Sequence, residues 1–348
     1  MNTSQDSYQY LEVQGERSDS HRSTECLLLE GPVPSLDGSN PDQVLVQIQY
    51  SSINYKDALA VDGHPGVARN LPLVPGIDAV GRIIASQHPH WCEGDRVIIN
   101  TDQFGTATDG GWRQIALVPV DWLVRCPDDM SNYEVACLGT AGITAAWCVK
   151  ALADHGTLES DRPLIVTGAT GGVGSIAIEI LGSHLKRNVV AVTGKTEATT
   201  WLSERGASEV ISREEFVDRS SRPLLSVRWG GGIDTVGSST LSTVLRSVTE
   251  GGCIAACGLA GGPELDITVY PFILRGVILY GIDCTRYSQQ EKAAMWSKLG
   301  RDWLPTRSIQ DTRTVTLTEA PAIARSLLAG TNTGRIVVDL QNKAKPIQ

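Results

Sequence analysis

The sequence has no uninterrupted apolar run of bilayer length, no tightly spaced cysteine pair and no excess of basic charge, and each absence removes a class of function. Without a long apolar run, no membrane span is expected. Asp and Glu number 39 against 30 Lys and Arg, a net charge of −9. A phosphate polymer would be repelled except at a local basic patch, so nucleic acid is not expected as the main ligand. The eight cysteines are Cys26, Cys92, Cys126, Cys137, Cys148, Cys253, Cys257 and Cys284, with no Cys-x-x-Cys among them. Cys253 and Cys257 fall in one apolar run that reads as a strand, about 13 Å apart and too far for a disulfide. The cysteines read as buried thiols in a reducing cytoplasm. His21, His64, His88, His90, His155 and His184 show no grouping. A Zn²⁺ site needs three or four converging ligands, so no metal is implied. No basic segment followed by an apolar core opens the chain, and no secretory signal is expected. There is no internal repeat and no low-complexity tract.

What is present is organised around residues 164–195. The apolar run Leu164-Ile165-Val166 breaks into Gly168-Ala169-Thr170-Gly171-Gly172-Val173-Gly174. A helical pattern follows, apolar at Ile176, Ala177, Ile180 and Leu181, and a second apolar run, Val189 to Val192, ends in Thr193-Gly194-Lys195. That is strand, glycine turn, helix, strand. A side chain at Gly171 or Gly174 would block a diphosphate approaching the backbone, or hold the helix off the sheet. Free N–H groups at the helix start, together with the helix dipole, favour an anion there. The usual fingerprint is G-x-G-x-x-G; Ala169 takes its first glycine position. The plainer alternative is a glycine-rich turn in an ordinary α/β domain.

The end of the second strand addresses which dinucleotide binds. NAD-selective folds place an acid there, about 20 residues on, for the ribose 2′-hydroxyl. Here Thr193, Gly194 and Lys195 offer a hydroxyl, an unencumbered backbone and a cation, which suit a 2′-phosphate. NADPH is the expected coenzyme. The alternative is that Lys195 is a solvated lysine opening the next helix.

With 348 residues, the chain is long enough for two domains. Residues 1–24 are polar and patternless and are expected to be a disordered leader. From Cys26 to about Cys126 run short strands and turns, an all-β module resembling a partly open barrel. Asn54 and Tyr55 follow the alternating strand Val44 to Tyr50, at a strand end where sites are commonly built. From Gly139 onward strands and helices alternate as a doubly wound α/β pattern.

The segments carrying a family resemblance are Asn54-Tyr55-Lys56-Asp57-Ala58-Leu59, Pro75-Gly76-Ile77-Asp78, Gly139-Thr140-Ala141-Gly142, the glycine turn, Gly232 to Gly237, Ala255 to Gly262, and Pro271 to Gly276. Together they resemble the zinc-free, quinone-oxidoreductase-like group of the medium-chain dehydrogenase/reductase superfamily, in its NADPH-dependent acrylyl-CoA reductase branch. Zinc relatives carry Gly-His-Glu where Gly76-Ile77-Asp78 stands. The resemblance implies a GroES-like catalytic domain over 25–140 and 285–348 and a Rossmann domain over 141–284. It also implies a cytoplasmic homodimer that reduces the C=C bond of a short enoyl-CoA without metal. A quinone or free-enone reductase, or a non-catalytic NADPH-binding sensor, remain the alternatives. By resemblance Tyr55 stands where related reductases place a proton donor. It either transfers the proton or only shapes the pocket beside the coenzyme. Asn54 would hold the ribose or the tyrosine, and Lys56 with Asp57 reads as a local ion pair. Arg213 would lie near the adenosine phosphate, Leu259 and Ile273 beside the nicotinamide, and Cys284 at the next strand end, where many relatives carry Ser. Arg69, Arg275 and Arg286 could meet CoA phosphates but read better as surface or helix-end arginines.

Overall fold

Tyr8, Leu11 and Val13 turn inward along a strand that opens the described chain, β1 (Ser7–Gly15). The computed structural model describes residues 7–15, 23–38 and 40–342. The expected leader is therefore corrected in part: 1–6 and 16–22 lie outside the described residues, but 7–15 is ordered by packing. β1 pairs antiparallel with β2 (Thr24–Pro32). Val13 and Leu73 also exchange backbone hydrogen bonds at 2.8 and 3.0 Å. Polar composition hides an inward turn of three apolar side chains.

The described residues divide into two compact units. The first holds the residues up to Thr140, 285–300 and those from Asp311 onward. Its larger sheet contains β3 (Gln43–Ser52), β4 (Asp78–Ser86), β5 (Arg96–Asn100), β6 (Ile115–Pro119) and β7 (Leu123–Arg125). The C-terminal return supplies β14 (Arg313–Thr316) and β15 (Ile336–Asp339). Strand order is β14-β15-β3-β4-β5-β7, with β6 also on β3. Val44, Val46 and Ile48 of β3 point to one face and are buried with Ile83, Val97, Ile99 and Trp112, while Leu45 on the other face is buried with Tyr8 and Ile115.

The second unit holds 141–284 and 301–310. Its strands are β8 (Leu164–Thr167), β9 (Val189–Thr193), β10 (Ala207–Ser212), β11 (Gly231–Asp234), β12 (Cys253–Ala256) and β13 (Ile278–Gly281). All pair in parallel, in the order β10-β9-β8-β11-β12-β13. The order reverses between β8 and β11, and a doubly wound sheet opens its ligand crevice at such a point, at the strand C-termini. Residues 301–310, read from sequence with the catalytic domain, fall here instead. The buried Glu179 carboxylate holds them, accepting from Arg307 N (2.8 Å), Ser308 N (2.9 Å) and Ser308 Oγ (2.7 Å).

One described helix, Asn132–Asp154, stands out for its length. By length and composition it is long and apolar enough to cross a membrane, with mean hydropathy 1.5, yet 89% of that window is buried inside the protein. Gly139, Thr140, Gly142 and Thr144 interrupt the apolar run and hide its length in the sequence. Its backbone is non-helical at Gly139 (φ 49°, ψ −148°).

Candidate functional site

The crevice of the second unit is built on two strand ends locked together. Thr167 Oγ1 donates to Asp234 Oδ1 at 2.6 Å, and Thr235 Oγ1 donates to Thr167 O at 3.0 Å. Asp234 Oδ2 accepts from Gly237 N at 2.7 Å. Thr167 and Asp234 are fully buried; burial pushes the Asp234 carboxyl up, against the pull of these donors.

The chain turns at Gly168 (φ +60°), where a Cβ would stand 2.0 Å from Thr235 Oγ1. The tight-turn glycine is thus Gly168, one residue before the fingerprint position held by Ala169. At Gly174 a Cβ would be 2.4 Å from Gly168 O, so this glycine allows the helix Gly172–Glu179 to sit against the end of β8. At Gly171 a Cβ would meet only Gly168 O, at 3.2 Å; what that glycine keeps clear is open space rather than a packed neighbour. The first amides of a helix have no intrahelical acceptor, so Gly172, Val173 and Gly174 begin an anion cradle of the kind a diphosphate fills. Thr170 and Thr193 are buried and their hydroxyls meet at 3.1 Å; Lys195 N donates to Thr193 Oγ1 at 3.0 Å.

Beyond β9 and β10 opens a cavity of about 1100 Å³, lined by Gly194, Thr196, Ser212, Arg213, Val236 and Gly261 among others. A Cβ on Gly194 would stand 3.0 Å from Arg213 Nη2. The guanidinium therefore lies against bare backbone at the end of β9. Lys195 is half-buried, its pKa pushed down by burial and drawn back by Glu197. Gly194 and Arg213 are thus brought together at one cavity, and Lys195 sits between the lining residues Gly194 and Thr196. Leu259 and Ile273 are 54% and 72% exposed, whereas Cys284 is buried. Arg275 is not available to a ligand phosphate: its guanidinium donates to the backbone oxygens of Leu225, Arg246 and Val248.

In the first unit, Tyr55 opens the helix Tyr55–Val61 and is 40% exposed. Directly below its start lies a buried polar cluster. Asp57 is not an ion-pair partner of the exposed Lys56. It has no exposure and its carboxylate accepts from Asn54 N (2.7 Å), Gly76 N (3.1 Å) and Ile77 N (2.8 Å). The spacing Asn54-x-x-Asp57 forms a capping box, a signal legible in sequence. Asn54 is corrected as well. Its amide nitrogen reaches Ser52 Oγ, Asp57 Oδ2 and Asp78 Oδ2 at 3.0–3.2 Å, and its carbonyl accepts from Arg335 Nη1 at 3.1 Å. It is turned inward and fixes the start of the tyrosine's helix.

Asp78 accepts further from Ser52 N, Ser52 Oγ and Thr140 N, at 2.8–3.0 Å. Arg335 donates to Ser52 Oγ at 2.8 Å and to Cys137 O at 2.9 Å. Gly139 is required where this cluster closes, since a Cβ there would be 2.7 Å from Asp78 Oδ2 and 2.9 Å from Arg335 Nη2. Burial, then Asp78, raise the Asp57 pKa to about 7, while the Asn54 and Ile77 donors pull it back. Sequence reasoning misses Ser52, Asp78 and Arg335 as partners because they come from three distant segments with no shared spacing.

These two modules define a dinucleotide-binding oxidoreductase architecture. The alcohol dehydrogenase GroES-like domain family matches residues 40–128, and the zinc-binding dehydrogenase family matches 172–301. Among the described residues no group of three or more His, Cys, Asp or Glu side chains is placed to hold a metal ion. The chain belongs to the medium-chain dehydrogenase/reductase superfamily, in its zinc-free, quinone-oxidoreductase-like acrylyl-CoA reductase branch. It is 42% identical to the putative quinone oxidoreductase YhfP of Bacillus subtilis over 86% of this chain and 91% of that one. The crystal structure of yhfP with NAD bound matches with a TM-score of 0.85 at 38% identity, covering 96% of this chain and 99% of that chain. The acrylyl-CoA reductase AcuI of Ruegeria pomeroyi is 40% identical over 86% of this chain and 90% of its own length. The yhdH oxidoreductase of Salmonella enterica, crystallised with NADP, has a TM-score of 0.86 and 38% identity over 96% of this chain and 100% of its own.

Proposed function

We propose that this protein is an NADPH-dependent reductase of short α,β-unsaturated acyl-CoA thioesters, with acrylyl-CoA as the first substrate, acting as a homodimer. The observation that carries the coenzyme reading is the Arg213 guanidinium against Gly194, at the place where NAD-selective folds present an acid. The likeness to AcuI supports the substrate reading.

The residues fit the coenzyme in kind. Thr170 and the amides of Gly172, Val173 and Gly174, with Gly171 keeping the approach clear, would hold its diphosphate, and Arg213, Gly194, Thr193 and Lys195 its adenosine phosphate. Leu259, Ile273 and Cys284 would line its nicotinamide end. When bound, the reduced nicotinamide supplies a hydride to the β-carbon of the substrate. Charge then moves onto the thioester oxygen, and Tyr55, a weak acid suited to a basic enolate, delivers or orients the proton for the α-carbon. Asn54, Asp57, Asp78 and Arg335 act through the helix start and hold Tyr55 in place.

A second reading, reduction of quinones or free enones, has support in the likeness to YhfP. The deciding experiment compares kcat/KM for acrylyl-CoA and methyl vinyl ketone under NADPH. A higher value for the thioester is expected, and equality or reversal overturns the CoA reading. Absence of NADPH oxidation with either would leave a coenzyme-binding sensor.

A further inference from the structure

Between the helix Arg213–Phe216 and β11 the chain runs from Val217 to Gly230 without helix or strand. An irregular stretch of that length in a compact domain is usually functional. This one is fastened by two arginines. Arg246, on the helix Ser238–Ser247, is 7% exposed. Its guanidinium donates to Asp218 O (2.8 Å), Ser220 O (3.0 Å), Arg222 O (2.8 Å) and Ser242 O (3.3 Å), and it pairs with the Asp218 carboxylate at 3.2 Å. One turn earlier on that helix, Thr243 Oγ1 accepts from Asp218 N at 3.1 Å. Past Arg222, Leu225 N donates to Arg246 O at 2.8 Å, and Leu225 O accepts from Arg275 Nη2 at 2.7 Å. A buried guanidinium is costly unless it is paired and hydrogen-bonded. Here its planar fork is spent on the chain's own carbonyls, three of them in residues 218–222.

The segment so held is a wall. Arg219 and Arg222 line the same cavity as Gly194 and Arg213. Both are exposed, and neither guanidinium is bonded to a described residue. The acids on the lining are Glu214, Asp218, Glu264 and Asp266. Asp218 is matched by Arg246, and Glu264 and Asp266 come from the segment beyond β12. Residues 213–222 are therefore the cationic side of the cavity, with Arg213, Arg219 and Arg222 against Glu214.

We infer that Arg219 and Arg222 are specificity-determining residues for the coenzyme's adenosine phosphate, and that Arg246 is a positioning residue that holds them at the cavity; the inference rests on the NADPH reading above. Arginine matches a phosphate through paired N–H groups. NADH brings no phosphate to this place, so the loop should separate the two coenzymes. Arg246 acts only through the loop. Lysine in its place keeps the charge but puts its three donors on one nitrogen, which cannot span the carbonyls that a fork spans.

The test titrates the full-length protein with NADPH and with NADH, without substrate, and reads Kd from coenzyme fluorescence at low ionic strength, where exposed charges are least screened. Arg219→Ala combined with Arg222→Ala alters exposed side chains only. This double variant should raise Kd for NADPH at least about tenfold and leave Kd for NADH nearly unchanged. Arg246→Lys should weaken NADPH in the same selective way. Added to the double variant it should cost little more, because the residues it acts through are already gone. A loss that is equal for both coenzymes, or fully additive, makes Arg246 a structural clamp and overturns its positioning role. Should Arg246→Lys fold poorly, the double variant decides: an unchanged Kd for NADPH overturns the inference. A wild type that binds NADH as tightly as NADPH overturns the coenzyme reading and the inference with it, so the two failures are told apart.

Discussion

At the scale of single residues, one missing side chain decides where a cation can lie. Gly194 leaves its space to Arg213, and even a Cβ there, 3.0 Å from Nη2, would make the guanidinium give slightly. Gly194→Asp would both occupy that space and offer a carboxylate to Arg213, setting a negative charge where the 2′-phosphate would bind. A hydrogen bond to a charged group is worth roughly 1.5–3 kcal/mol, so KM for NADPH should rise about tenfold to about a hundredfold. KM for NADH should change far less. Lys195→Asp should act in the same direction; an equal effect on both coenzymes in these two variants would remove the 2′-phosphate from this cavity. Tyr55 is tested by its hydroxyl alone. Tyr55→Phe should lower kcat by at least about tenfold if the phenol transfers the proton, with little change in KM for NADPH. An unchanged kcat would leave Tyr55 as a wall of the pocket.

At the scale of the element, the short helix Tyr55–Val61 is fixed by what lies under its first turn. Asp57 closes the capping box and also holds the Gly76–Ile77 turn. An unfolded aspartate titrates near about 3.9, whereas Asp57 in the fold is raised to about 7. The folded state binds this proton more tightly, so the group's stabilisation is complete below about pH 4 and is lost as pH rises through about 7. The thermal stability of the wild type should therefore fall as pH rises across that window. Asp57→Asn should lower Tm throughout, because an amide N–H replaces an acceptor facing backbone donors, and should flatten the pH slope. A variant that kept the full slope would show that the proton resides elsewhere in the cluster. The glycine turn and the inward Ile176, Ala177, Ile180 and Leu181 are legible because strand and helix periods are local; all four side chains are buried. The spacing Asn54-x-x-Asp57 is legible too, although Lys56 beside it suggests an exposed ion pair instead. Asp78 and Arg335 are not legible as partners: nothing local says that a carboxylate after a proline-glycine turn and an arginine near the chain's end will share one serine.

At the scale of the whole molecule, an unsatisfied edge remains. β13 ends the six-stranded sheet with no partner on its outer side among the described residues, and a free edge is a template for another strand. Leu279 and Tyr280 on it are 36% and 41% exposed, and Val269, Tyr270, Ile273 and Leu274 just before it are more open still. The family resemblance implies that Leu259 and Ile273 meet the coenzyme, and local pattern cannot distinguish a ligand wall from an association surface, since both are apolar and open. A chain with a net charge of −9 repels its copies in general, so association needs an uncharged contact, and this edge offers one without an acidic side chain from Ile278 to Ile282. Two copies pairing β13 to β13 antiparallel would satisfy both edges by one two-fold axis. Light scattering on the eluted protein should give twice the chain mass. Tyr280→Lys, which sets like charges across such an axis, should shift it to the monomer while leaving the far-UV circular dichroism unchanged. A wild type already monomeric, or a dimer indifferent to this substitution at low salt, would move the association surface away from this edge.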